Sequence, residues 1–275
     1  MLFQRVITAL ILVPLVIAGV LYLSTLSLSL LLALVVLMGG LEWTRLAALD
    51  SWSEKLLFLF VLAASMAGLG LSVHIFPNWV FPITLFSTLF WVMVTVRLIR
   101  YHPSEVATVS GRFWKSILGF LVLVPAWLSL RVTHGLYQDG PYLVLYLLVL
   151  IWVADSCAYF SGRRWGRVKL APQISPGKTR EGVYGALAGA VVCGALLYGL
   201  RPESASLPLL IFFSVIVALV SVVGDLFESL LKRQAGLKDS GDLLPGHGGM
   251  LDRIDSLTAA APVFLFGLLL LEFAK

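Results

Sequence analysis

Charge is what this sequence has least of. Only 13% of its 275 residues are Asp, Glu, Lys or Arg, against about 25% in an ordinary soluble domain. With 59% hydrophobic residues and a mean hydropathy of +0.96, the chain is excluded from the water-soluble globules and must use lipid as part of its solvent. Cysteine is scarce too. Cys157 and Cys193 lie in apolar runs without metal-ligand spacing, which argues against a disulfide framework or a zinc site. The first apolar run has no convincing small-residue cleavage site and a second follows at once, so it is read as retained rather than as a signal peptide. No internal repeat and no Ser–His–Asp grouping is visible. Gly177-Lys178-Thr179 suggests a nucleotide P-loop, but Pro172 stands where that motif needs its first glycine.

What is present is a series of long apolar runs. A helix needs about 20 apolar residues to cross a bilayer core. Nine candidates satisfy this, at 5–23, 26–43, 56–75, 79–98, 113–131, 141–160, 183–200, 207–228 and 256–273. The expected fold is all-α and polytopic. The second run is the weakest candidate, because only Ser24-Thr25 separates it from the first; a re-entrant hairpin formed by the pair, leaving eight or fewer true spans, is the alternative. If the N-terminus is cytoplasmic, seventeen of the twenty Lys and Arg fall on the cytoplasmic side, which orients the chain N-in and C-out. The net charge of +5 therefore needs no nucleic-acid partner.

The two halves differ. Residues 1–132 read as membrane scaffold. Their acids Glu42 and Glu54 lie near span ends beside Arg45 and Lys55, where interfacial pairing is the ordinary expectation. Residues 133–275 read as the catalytic region, with cytoplasmic loops at 161–182 and 229–255. Asp155 lies inside the sixth span, where a carboxylate normally faces a polar interior; pairing with Arg163 or Arg164 is the structural alternative. In the loop that follows, Ser175-Pro176 fits an N-cap and first helical position. A helix starting there would aim free N–H groups and Lys178 at an anion. The Gly- and Ala-rich seventh span suits close helix packing.

The densest chemistry runs from Ser229 to Asp255, between two apolar runs. It holds Lys232, Arg233, Lys238, Asp239, Asp242, His247, Asp252, Arg253 and Asp255, with Asp225 and Glu228 just upstream. Asp225, Glu228 or Ser229, and Lys232 recur at helical spacing, and Asp252 and Asp255 share a face by i, i+3. Gly246, Gly248 and Gly249 around His247 let backbone N–H groups approach an anion. Carboxylates that face phosphates usually hold a cation that neutralises both. A solvated juxtamembrane loop is the simpler alternative.

The pattern resembles the signature of the phosphatidate cytidylyltransferase (CDP-diacylglycerol synthase) family at Ser229, Lys232-Arg233, Lys238-Asp239, Gly241, Leu244-Pro245, His247-Gly248-Gly249, Asp252-Arg253 and Asp255. The stretch Ser175-Pro176-Gly177-Lys178-Thr179-Arg180-Glu181-Gly182 resembles a second element of that family. The resemblance implies attack of phosphatidate on the α-phosphorus of CTP, giving CDP-diacylglycerol and diphosphate, in a bacterial inner membrane with the site facing the cytoplasm. It implies Mg²⁺ as cofactor with K⁺ beside it, and a homodimer. It further implies Asp225 and Asp252 as the leading Mg²⁺ ligands, and Asp239 and Asp255 as further ligands or orienters. Lys178, Lys232, Arg233 and Lys238 would bind phosphate. Ser175, Thr179, Arg180, Asp155 and the His247-Gly248-Gly249 turn would line the substrate site, although the turn could equally be structural.

Three rivals are weaker. A CTP-dependent lipid-alcohol kinase would share the membrane core, but the tight match from Lys232 to Asp255 argues against it. A CDP-alcohol phosphotransferase lacks its Asp-Gly-x-x-Ala-Arg element here. An ion-coupled transporter would be expected to repeat its halves. The charge bias predicts that a reporter fused after Lys275 lies on the outer side of the membrane; cytoplasmic reporter activity would contradict the orientation.

Overall fold

In the computed structural model, residues 2–101, 111–136, 138–201, 205–241 and 248–271 are described, with side chains from Leu10 onward. The described residues form nine α-helices and one small hairpin: α1 Leu2–Tyr22, α2 Thr25–Leu46, α3 Trp52–Ile75, α4 Val80–Ile99, α5 Arg112–Leu136, α6 Gly140–Trp165, β1 Lys169–Ala171, β2 Ser175–Thr179, α7 Arg180–Leu200, α8 Leu207–Gln234 and α9 Leu251–Leu270. Eight helices are long and apolar enough to cross a membrane, and Leu10–Tyr22 adds a shorter apolar segment. The second apolar run is an uninterrupted 22-residue helix, long and apolar enough to cross a membrane. Ser24 separates it from α1 and caps it, its Oγ accepting from Ser27 N at 3.2 Å.

Large apolar side chains such as Leu30, Phe60, Phe86 and Phe212 remain exposed on the outside, as a lipid-facing surface requires. Inside are two apolar clusters. One joins α5–α9 around Leu147, Leu210 and Phe264. The other joins α2–α5 around Trp43, Leu62 and Leu123. Helices α2, α5, α8 and α9 contribute to each cluster, and α8 and α9, in close contact with each other, form the spine of the molecule.

Small residues bring this spine together. At Gly224 on α8 an added Cβ would lie 2.6 Å from the carbonyl oxygen of Asp255 and 2.8 Å from Ala259 Cβ on α9. At Gly194 on α7 it would lie 2.7 Å from Ile211 Cα on α8. Gly189 meets Cys157 and Val153 of α6. The Gly/Ala stripe of the seventh span therefore sets backbone-to-backbone contact. Of the two spine helices, α8 also outruns the membrane. At 28 residues, α8 is about 42 Å long, whereas the hydrocarbon core spans about 30 Å. Its last turns, from Asp225 to Gln234, can thus carry charge at the interface.

Gly224→Ala is expected to destabilise the protein by about 1–3 kcal/mol through overpacking, although alanine is the better helix former. Gly199→Ala, where nothing lies within 4 Å of the new Cβ, is expected to be neutral or slightly stabilising. Unfolding of the two variants in detergent checks the contrast.

Candidate active site

The loop after α6 does not begin a helix at Ser175. It forms an antiparallel hairpin pairing Lys169 with Thr179 and Ala171 with Ser175. The reason is Ile174, which is 4% exposed and packs on Leu226 and Leu230 of α8. Anchoring that side chain keeps residues 175–179 extended, and Pro176 is tolerated on a strand with only one neighbour. The helix start moves to Arg180. Thr179 is its N-cap, with Oγ1 accepting from Gly182 N at 3.1 Å. The Glu181 carboxylate accepts from Val168 N at 3.2 Å and 3.3 Å, and Arg233 Nε donates to Ile174 O at 3.4 Å.

This geometry sends Lys178 to α8 from the end of the hairpin. Its Nζ lies 2.5 Å from Asp225 Oδ2, and Asp225 Oδ1 accepts from Ser229 Oγ at 3.3 Å. About two turns beyond Asp225 on α8, Lys232 forms the centre of a second, more buried group. Its Nζ lies 2.5 Å from Asp252 Oδ1 and 3.1 Å from Glu228 Oε1. These side chains are 10% (Lys232), 11% (Asp252) and 4% (Glu228) exposed, so the ions are largely removed from water. No aligned hydrogen-bond donor reaches either Glu228 oxygen among the described residues.

Asp255 joins the two groups. Its carboxyl group lies within electrostatic range of Asp225, Lys178 and Lys232, and of Glu228. Asp155 interacts with Asp225 and Lys178, not as the partner of Arg163 or Arg164; Arg163 instead donates to Tyr159 Oη at 3.0 Å. Helices α6, α8 and α9 and the hairpin thus converge on one charged cluster.

Asp252 also organises the start of α9. Its Oδ2 accepts from Ser240 N at 3.1 Å and Gly249 N at 2.9 Å. Gly248 holds a φ of +79° beside it, and a Cβ there would lie 3.0 Å from Asp252 Oδ2. Lys238, Asp239, Arg180 and Arg233 are exposed, and Ser175 is half-buried. His247, Asp242 and Leu244-Pro245 lie outside the described residues.

One contributor comes from the half read as scaffold. Glu42 on α2 is 3% exposed and does not pair at the interface with Arg45, which is exposed. It accepts from Ser240 Oγ at 2.9 Å, Met250 N at 2.9 Å and Leu251 N at 2.8 Å. Glu54, likewise, caps α3 through Ser51 and meets Arg112 at 3.5 Å; it does not pair with Lys55. A cavity of about 800 Å³ between α4, α5 and α8 is lined by Phe227 and Leu230, on the α8 face turned away from Asp225, and takes no part in this cluster.

The chain matches the sequence model of the Cytidylyltransferase family over residues 3–271. It belongs to that family. Phosphatidate cytidylyltransferase of Pseudomonas aeruginosa is 41% identical over 265 residues, 96% of either chain. The Haemophilus influenzae protein of that name is 35% identical, with 97% of this chain and 98% of the relative covered. A third, from Thermotoga maritima, is 35% identical over 94% and 93%.

In this cytidylyltransferase the Lys232 group makes a sharp stability prediction. Lys232→Met leaves two buried carboxylates without their cation and is expected to cost about 3–5 kcal/mol. Adding Glu228→Gln to that variant should recover part of the loss. A double-mutant cycle of unfolding midpoints in detergent checks the coupling.

Proposed function

We infer that the chain is a phosphatidate cytidylyltransferase, converting CTP and phosphatidate to CDP-diacylglycerol and diphosphate at the cytoplasmic face of a bacterial inner membrane. The observation that carries this reading is end-to-end similarity to proteins of that name in three organisms. The charged cluster supplies chemistry that suits it.

A phosphate monoester has its second pKa near about 6, so the phosphatidate oxygen is already ionised at neutral pH and needs no strong general base. That oxygen bonds to the α-phosphorus of CTP, the bond from this phosphorus to the bridging β-oxygen breaks, and diphosphate leaves with the electron pair. The obstacle is bringing anions together and holding charge on the leaving group, which calls for cations and positioning.

Five carboxylates here (Asp155, Asp225, Glu228, Asp252, Asp255) face two ammonium groups, Lys178 and Lys232. The formal surplus is negative, and every donor is oxygen, which suits Mg²⁺. Among the described residues no three acidic, His or Cys side chains are grouped tightly enough to hold a metal alone. A site of one or two carboxylates completed by substrate phosphates is the usual habit of Mg²⁺. Asp225, Asp252 and Asp255 are the residues that would hold it. When bound, Mg²⁺ neutralises phosphate charge and stabilises the leaving diphosphate. Lys178 and Lys232 now balance Asp225 and Asp252. They are placed to turn towards phosphate oxygens once a triphosphate arrives. The exposed Arg233, Lys238 and Arg180 would receive the anion from water, and Asp155 would border the lipid side.

Purified protein given phosphatidate, Mg²⁺ and CTP labelled at the α-phosphate is expected to place label in the lipid. Transfer of label from the γ-phosphate instead would overturn the reading. Asp225→Asn and Asp252→Asn should each lower turnover at least about 100-fold, or about 2.7 kcal/mol of barrier, while the protein still inserts and elutes as folded material. Near-normal activity in both variants would defeat the metal assignment.

A further inference from the structure

Two carboxylates from different parts of the chain hold the same short segment. Asp252 accepts from the backbone N–H groups of Ser240 and Gly249. Glu42 accepts from the hydroxyl of the same Ser240 and from the next two N–H groups along, those of Met250 and Leu251. Ser240 is fully buried and bridges the two acids. The spacing is tight: a Cβ added at Gly241 or at Gly249 would come within 2.7 Å of the Glu42 carboxyl carbon. Both glycines therefore close directly on this carboxylate. Glu42 is itself held, because its neighbour Trp43 is buried and donates from Nε1 to Lys115 O of α5 at 2.9 Å.

A surface acid near a helix end would need only one such bond. A carboxylate 3% exposed, with three donors on segments either side of the loop, does more. It fixes the entry to α9, where the free N–H groups and helix dipole favour negative charge. The orientation of Asp252 depends on that entry, since two of its three partners are backbone groups of the segment that Glu42 clamps.

We propose that Glu42 is a positioning residue for the reaction: it acts through Ser240, Met250 and Leu251 to set Asp252, without touching substrate. This rests on the cytidylyl-transfer reading and assigns a step of it to the N-terminal half. The Glu42→Gln side chain has the same size, but it places an amide donor against a backbone donor and removes the charge. It is expected to lower kcat by about 10- to 100-fold, the scale of small misplacements remote from the chemistry, with KM for phosphatidate within about twofold of the parent. Ser240→Ala deletes one of the three bonds and should lower kcat less. Combining the two should be no worse than Glu42→Gln alone, because both act on one segment.

Amide hydrogen exchange over residues 240–251 gives a second readout that is independent of the reaction, and it should quicken in both variants. Folded variants that keep parental kcat, or that leave exchange of this segment unchanged, overturn the proposal. If Glu42→Gln does not fold, Ser240→Ala decides on the same two measurements. Parent protein that makes no CDP-diacylglycerol while exchange still responds would sink the assigned reaction and leave the clamp standing.

Discussion

The ion triad of Lys232 with Glu228 and Asp252 is the constraint on which the rest is built. Three charges lie where little water reaches them, and each would be costly alone. Replacing such a group by apolar side chains is often neutral or stabilising, so stability is a poor reason for its presence. Its geometry serves better as an explanation. Lys232 ties the end of α8 to the beginning of α9, and Asp252 ties the beginning of α9 to the loop that joins them. Any nucleotide that engages these groups acts on two of the helices that both apolar clusters share.

The lipid solvent explains why the packing must be so close. Between membrane helices there is little hydrophobic gain on association, so small side chains and backbone proximity carry the contact. Gly224, the residue immediately before Asp225, faces Asp255 across α8 and α9. The approach permitted by that glycine is what lets carboxylates from two helices act on one another. With bulkier residues there, the same acids would lie on separate surfaces and each would snorkel to water.

Most of the scaffold was legible because membrane spans are written in length and hydropathy. The starts of α5, α6 and α8 and the ends of α3, α4 and α7 fall within one residue of the expected runs. The charges that end α8 and begin α9 were legible as well, through their spacing. Two features were not. The hairpin was hidden because Ser175-Pro176 is a good helix start in isolation, and only the burial of Ile174 against α8 selects the strand. Glu42 was hidden because an acid near the end of a span has a local explanation in Arg45, whereas its partners lie about 200 residues further along the chain. Both misses are cases in which a tertiary contact outweighed a reasonable local preference.

Those two long-range contacts explain how a site for a water-soluble and a lipid substrate can be built from membrane helices. The ends of α8 and α9 alone would supply carboxylates on flexible termini, since helix ends fray and their N–H groups need partners. The hairpin fastens one side, with Ile174 seated on α8 and Lys178 carried to Asp225. Glu42 fastens the other, by satisfying the first N–H groups of α9. Fixed on both sides, the carboxylates would keep their positions while Lys178 and Lys232 turn from them to an entering anion, and held positions are the condition under which electrostatic stabilisation of a transition state is strongest. On the role proposed for Glu42, the apolar first half of the chain serves the site by holding Ser240 and the first N–H groups of α9.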